Sequence, residues 1–341
     1  MFEHKGGQLQ SKEVSFYYEL LPHINIQQKT CWAIAINQED KLLLSGAESN
    51  INIMQLKEGA VKKIQTIQKH KSWITTLNFF KQMSLIISGS SSLKIWSSNL
   101  SSNPKFLLKL LEHSSNIQCL ALRNIKPLVI ISGSKDFNIK FWCQKDDQWI
   151  CQQTIREHSN IVSGLSLNQE GNSLISCGDD NQILVIKCLD DQSWNVVQKI
   201  KCHGVRLSFI SNETFAFQPW QSDKIELYTY EQQTGNYQKS KELAISGCTQ
   251  FCTHLFPCSF IPSKHILLSK NSYNLNLIRL NTTSSIPDGK LVQVIEFKQL
   301  ARENGDFLIT WDGQSKQIQI RKFKEIYKQR TTQNSKICTI F

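Results

Sequence analysis

The sequence has no apolar run long enough to cross a membrane and no leading segment of the kind that directs secretion. The expectation is a chain that works in the cytoplasm, with access to the nucleus, and keeps its eleven cysteines as free thiols. The common catalytic signatures are also missing. There is no nucleophile elbow, phosphate-binding loop, His-Glu-x-x-His pair or set of paired carboxylates, so no enzyme is expected. No stretch of any length carries apolar residues at helical spacing, which excludes a helical fold. No nucleic-acid-binding motif appears. The net charge of +11 would suit nucleic acid, but the basic residues read as scattered. Their longest cluster, Arg321–Lys324 with Lys328 and Arg330, lies near the C-terminal end. A composition rich in Gln, Asn, Ile and Lys is what AT-rich coding produces. A Lys-rich surface with no nucleic-acid partner and no membrane partner is therefore the expectation. One group of soft ligands, Cys248, Cys252, His254 and Cys258, falls close together. Its spacing matches no paired Cys-x-x-Cys site, so buried thiols and one ordinary His are expected rather than a metal. A metal-dependent or hydrolytic enzyme would have to use this region. Most other cysteines (Cys119, Cys143, Cys151, Cys177 and Cys188) lie in strand patterns and read as small core residues.

What the chain does have is a phrase that returns about every 44 residues. His113 leads to an apolar run, then to Ile131, Ser132 and Gly133, then to Asp136 and Trp142. The order recurs as His158, Ser176, Asp180 and Ile186, and earlier as His70, Ser88, Ser90 and Trp96. The steps His70 to His113, His113 to His158 and His158 to His203 are 43, 45 and 45 residues. In the best copy four short apolar runs, 117–122, 128–133, 138–143 and 149–155, are split by turn residues. Each has the length of a strand, and most are rich in Ile, Val, Phe and Trp. A four-stranded unit cannot bury its own faces, so successive units must pack on one another. Four antiparallel strands per unit make one propeller blade.

The phrase resembles the WD40 repeat. In that family a His before the first strand meets an Asp in the turn between strands two and three. A Ser or Thr on strand two and a Trp on strand three complete the relay. By motif position these are His113, Ser132, Asp136 and Trp142. The second copy keeps His70, Ser88 and Trp96, with Ser90 at the Asp position. The fourth keeps His158, Ser176 and Asp180, with Ile186 at the Trp position. The resemblance makes this His–Asp–Ser set a structural network inside a blade, not a catalytic one.

The strand-two turn marks each blade at Gly46, Gly89, Gly133 and Gly178, with worn copies near Gln218, Ser269 and Thr310. That predicts an all-β fold: a seven-bladed propeller of four-stranded antiparallel blades. The last three blades rest on strand patterning over 214–217 with 224–230, 265–269 with 274–280, and 307–310 with 317–323. The run 14–20 precedes the first copy, and WD40 rings usually close by pairing such a strand with the last blade. One domain over residues 14–330 is expected, with tails at 1–13 and 331–341.

A closer resemblance lies in the opening and the outer strands. Residues 14–23, with Pro22 and His23, are followed by Thr30, Cys31 and Trp32 before an apolar strand. The outer strand of the third copy runs from Asp146 through Trp149, Cys151 and Thr154 to His158, and 190–203 echoes it. These features are similar to the WD40 subunit of cytosolic iron–sulfur protein assembly. That resemblance implies an adaptor, itself free of cofactor, working as a monomeric ring within a complex. Its partners would be a small acidic-loop protein, a large helical-repeat protein and client apoproteins in cytosol and nucleus. It also makes Lys135 the counterpart of a family Arg in the turn before the relay Asp. Candidate partner-binding residues on the relay face are Lys135, Trp73, Asn116 and Arg156. Trp73 reads equally as an interface anchor or as a side chain folded into the groove between blades. Trp32, at a strand start, is expected in the core. The competing reading is a general WD40 interaction platform, such as a ubiquitin-ligase receptor or a cytoskeletal scaffold.

Overall fold

The computed structural model describes residues 14–327, apart from 22–25, 28–29, 40, 58–59, 100–105, 147, 190–192, 248–256, 283–285, 297–300, 304–305 and 313–316. Among the described residues every regular element is a β-strand, and none is a helix long and apolar enough to cross a membrane. The strands form seven antiparallel sheets. Blade one comprises Cys31–Ile36, Leu42–Ala47, Asn50–Lys57 and Ala60–Ile67, from inner to outer strand. Blade two comprises Thr76–Phe79, Leu85–Gly89, Leu93–Ser97 and Phe106–Leu110. Blade three comprises Ile117–Arg123, Val129–Ser134, Ile139–Lys145 and Gln148–Ile155. Blade four comprises Val162–Leu167, Ser173–Gly178, Gln182–Cys188 and Trp194–Lys201. Blade five runs from Gly204–Phe209 to Asn236–Ala244, and blade six from Ser259–Ile261 to Asp288–Glu296.

Blade seven closes the ring. Its inner three strands are Ala301–Glu303, Phe307–Asp312 and Gln317–Tyr327. Its outer strand is Val14–Leu20 from the far end of the chain, paired so that Val14 faces Tyr327 and Leu20 faces Arg321. Residues 14–20 and 321–327 are thus joined by a full strand pair, which ties the first described strand into the last blade. Inner strands touch their neighbours in order from blade one to blade six, and Ala301–Glu303 of blade seven returns to Cys31–Ile36.

Burial follows strand position. The second strands of blades three and four are buried along their whole length, as expected for strands covered on both faces by neighbouring blades. The outer strand Trp194–Lys201 alternates buried or half-buried with exposed, since one face is wet. There is no single core. Ala33, Leu44 and Ile53 of blade one pack with Leu77, Ile86 and Trp96 of blade two, and similar clusters straddle each later junction. Each blade is therefore stabilised mainly by what its neighbours cover.

Bulges recur at two places. The inner strands of blades one, three, four and five carry an extra residue near their start: Trp32, Gln118, Ser163 and Val205. Outer strands carry another, at Ile64 in blade one, Leu107 in blade two and Val197 in blade four. A bulge leaves its residue unpaired and turns it away from the alternation of the strand. That is why these three apolar side chains are exposed. It is also why Trp32 stands outside the core clusters, contrary to expectation: it is half-buried and stacks on the Trp73 ring.

Candidate functional site

The relay of blade three is assembled from three segments. His113 lies in the loop that enters the blade, Ser132 on its second strand and Trp142 on its third. Asp136 lies in the turn between those two strands. His113 Nδ1 is 2.8 Å from Asp136 Oδ2, His113 Nε2 is 2.8 Å from Ser132 Oγ, and Trp142 Nε1 donates to Ser132 Oγ at 2.9 Å. Burial holds the His113 pKa below its ordinary value, against the pull of Asp136, so the ring is neutral. One proton arrangement satisfies every member. Nδ1–H donates to the carboxylate, Ser132 takes the Trp142 proton and gives its own to Nε2. Asp136 is raised by burial but pulled down further by His113 and by the N–H groups of Asn138 and Ser114, so it stays ionised. Ser132 is fully enclosed, so no substrate reaches this Ser–His–Asp set.

Blade four keeps the same bonds without the indole. His158 Nδ1 lies 2.9 Å from Asp180 Oδ2 and Nε2 lies 2.9 Å from Ser176 Oγ. Gly178 is required beside them: a Cβ there would stand 2.8 Å from Asp180 Oδ1 and 2.9 Å from His158 Nδ1. Gly178→Ala is expected to push the pair apart and to destabilise the fold by about 1–3 kcal/mol. Thermal melting checks this, and an unchanged midpoint counts against a tight seat. In blade two His70 Nε2 and Trp96 Nε1 both meet Ser88 Oγ, at 2.7 and 2.8 Å. Ser90, at the Asp position, ties the loop by donating to the Ser72 carbonyl at 3.0 Å.

Elsewhere different chemistry does the same work, unread in the sequence. In blade six Asn276 Nδ2 donates to the Ser246 carbonyl at 2.8 Å, and Ser246 N–H returns to Asn276 Oδ1 at 2.8 Å. In blade seven Arg321 donates to Thr310 Oγ1 at 2.9 Å and to Gln319 Oε1 at 2.8 Å. The rim carries a second device. Gln198 on the outer strand of blade four grips both backbone groups of Tyr237 in blade five, each at 2.8 Å. Gln153 does the same to Trp194, and Gln293 to Tyr18. All three glutamines stand next to the outer-strand bulge, a shared position that the spacing of Gln153 and Gln198 alone signals.

The candidate partner-binding residues all lie on the relay face, in loops entering a blade or in the turn before the relay Asp. Trp73 is 53% exposed and stacks on Trp32 at 5.4 Å with 23° between the rings, so it spans the groove between blades one and two while its outer face is open. Lys135 is exposed, and its backbone N–H donates to the Asn116 carbonyl at 2.9 Å. Asn116 itself is half-buried, and Arg156 is exposed beside Glu157, which pairs with Lys199. No hydrogen bond or ion pair joins Trp73, Lys135 and Arg156 among the described residues; each belongs to its own blade. Of the soft-ligand group, Cys248, Cys252 and His254 fall outside the described residues, while Cys258 is buried and its thiol donates to the Leu268 carbonyl.

At the opposite face a cavity of about 590 Å³ opens at the centre of the ring, lined by blades one to six. Its polar lining includes Ser166, Asn168 and Ser208, with the cations Lys81 and Arg123.

The family model for the WD domain, G-beta repeat, matches residues 61–97, 104–143 and 149–187. Each match starts on the outer strand of one blade and ends on the third strand of the next, so a sequence repeat staples two blades together. The chain is similar to the nuclear distribution protein PAC1 of Komagataella phaffii, 31% identical over 105 residues, 30% of this chain and 21% of that one. It is similar to a p21-activated protein kinase-interacting protein 1-like of Xenopus laevis, 32% identical over 103 residues, 30% of this chain and 23% of that one. The chain thus matches only about a fifth of the length of these curated relatives. The protein is a seven-bladed β-propeller that carries WD40 repeats.

Proposed function

We propose that the protein is a non-catalytic adaptor, a rigid ring whose relay-face rim gathers protein partners. The observation that carries this reading is Trp73. A large aromatic side chain half out in water serves no core, and such residues anchor interfaces. The enclosure of Ser132 and the neutral state of His113 support the non-catalytic half of the proposal. One relative is named for interaction with a p21-activated protein kinase, which is the same class of role.

The specific form of the proposal is the WD40 subunit of the complex that delivers iron–sulfur clusters to cytosolic and nuclear apoproteins. Its support is the run of residues from Val14 to Trp32 and the outer strands ending at His158 and His203. The experiment is affinity purification of the tagged protein from its own cells, followed by mass spectrometry. Recovery of a small acidic-loop protein and a large helical-repeat protein is the expected result. Recovery of other stoichiometric partners would remove the iron–sulfur role and keep the adaptor. Lys135→Glu is expected to weaken that assembly while its melting point stays within the effect of an exposed substitution, about 0.5 kcal/mol. Loss of fold together with binding would make Lys135 structural instead.

A further inference from the structure

Charge is not spread evenly round this ring. Between residues 57 and 126 stand eleven Lys and Arg against two carboxylates, Glu58 and Glu112, so about a fifth of the chain holds +9 of the net +11. The expectation of scattered basic residues is corrected by that count. The segment covers the end of blade one, all of blade two and the inner strand of blade three.

Elsewhere seven of the described lysines pair with carboxylates. Lys199 pairs with Glu157 at 2.7 Å, Lys224 with Glu242 at 2.7 Å, Lys239 with Glu226 at 2.6 Å, and Lys241 with Asp288 at 2.8 Å. Within 57–126 no lysine makes an ion pair among the described residues. Lys94 sits at the middle of the sector. It is 6% exposed, donates to the Lys69 carbonyl and lies 5.1 Å over the Phe106 ring. Burial, and then the nearby charges of Lys109, Lys71 and Lys69, push its pKa down. Lys109 faces Lys94 across the outer strand pair and the Lys69 carbonyl takes the Lys94 ammonium, so like charges gather with no carboxylate paired to them among the described residues, an arrangement that repels itself.

The same edge is apolar. Trp73, Leu107 and Leu111 are 53%, 55% and 63% exposed, and they interleave in sequence with Lys71 and Lys109. Aliphatic Leu107 and Leu111 gain nothing against a phosphate backbone, where hydrogen-bond donors and stacking rings are used. A bilayer is flat, whereas Trp73 stands on the relay-face loop and Leu107 on the outer strand at the circumference. A bent polypeptide crosses such an edge; a membrane plane does not.

We infer that the blade-two edge is a docking surface for an acidic protein segment in which carboxylates alternate with large apolar side chains. This rests on the adaptor reading and names the chemistry of one partner. Carboxylates would meet Lys69, Lys71 and Lys109, while apolar groups would cover Trp73, Leu107 and Leu111.

The test uses the full-length protein and fluorescence anisotropy of a short labelled peptide alternating Glu and Leu. A Lys–Leu peptide, a Glu–Ser peptide, single-stranded DNA and phosphatidylserine vesicles are the comparison probes. Saturable binding of the Glu–Leu peptide is expected, weakened by salt. Lys69→Glu, Lys71→Glu and Lys109→Glu combined should weaken it roughly tenfold or more, and Trp73→Ala with Leu111→Ser should also weaken it. Lys201→Glu with Lys322→Glu, outside the sector, should leave it unchanged, with melts confirming that every variant folds. Equal binding by the triple variant overturns the proposal, as does tighter, sector-dependent binding of DNA or vesicles. Co-purification from cells separates the two levels. Partners that persist on the folded triple variant overturn the blade-two site and leave the adaptor reading standing. Loss of a partner from that variant alone supports the site. A parent protein that co-purifies nothing overturns the adaptor reading and this proposal with it.

Discussion

Trp142→Ala is expected to destabilise the protein by about 3–5 kcal/mol, the range for removing a buried Trp. The side chain is 2% exposed and packs in the cluster shared with blade two, beside Ile87 and Ile95. Truncation opens a cavity at that junction and deprives Ser132 of the proton donated by the indole. Ser132 Oγ still donates to His113 but loses its own donor in an enclosed site. Asp136→Ala should cost less, about 1–3 kcal/mol, because it leaves His113 and the N–H groups of Ser114 and Asn138 without their acceptor but removes far less packed volume than the indole. The two changes share one hydrogen-bond chain, so the double variant should fall short of the sum. Ser90→Ala, at the equivalent place in blade two, removes a single bond to the Ser72 carbonyl and should cost least. Thermal and urea melts of the purified variants give the order Trp142, Asp136, Ser90. A Trp142→Ala protein that melts with the parent would remove the relay from the stability of the blade.

The order of these costs also shows why some of the molecule was legible in the sequence. A His–Ser–Asp–Trp chain needs those side-chain types at fixed separations, because each donor has one matching acceptor. Periodicity therefore exposed blades two to four, and strand patterning sufficed to place blades five to seven and the closing strand Val14–Leu20. The substitutes in later blades were illegible. Asn276, Arg321 and the bridging glutamines are ordinary polar residues until the facing backbone is known. Trp32 was misplaced because a bulge breaks the alternation on which the expectation relied. Lys94 and Lys140 are buried on strands where a lysine reads as surface. Each hides its stem under the blade and finds an oxygen for its ammonium, Lys140 at Thr154 Oγ1. The basic sector was present in the sequence throughout. It spans seventy residues without a run, and part of it is drawn together by the strand pairing that sets Lys109 opposite Lys94 and by the Lys94 bond to the Lys69 carbonyl.

Mild acid is expected to destabilise the ring through its relay histidines, His70 above all. Burial, and then the charge of Lys94, hold the His70 pKa at about 3 in the fold, against about 6.5 in the unfolded chain. The folded value is the lower one. Between these limits the unfolded chain therefore binds a proton that the native protein refuses, and stability falls as pH falls. The contribution is fully present above pH 6.5. At pH 5 the loss from His70 alone is about 2 kcal/mol. His113 and His158 are also lowered by burial and act in the same direction, although Asp136 and Asp180 soften their shifts. The lowered carboxylates, Asp136 among them, lose their contribution only when pH drops below the ordinary carboxylate range, so the window from pH 7.5 to 5 belongs to the histidines. His70 stands apart because Ser90 offers no charge where Asp136 and Asp180 do, and because Lys94 lies close by. Urea melts at pH 7.5 and 5.0, at constant ionic strength, should show a drop of at least about 2 kcal/mol. His70→Asn should lower stability at pH 7.5 yet lose less than the parent between the two conditions, since it removes the titrating group. A parent whose stability is the same at both pH values, or a variant with the same drop, would show that His70 is not held neutral by the fold.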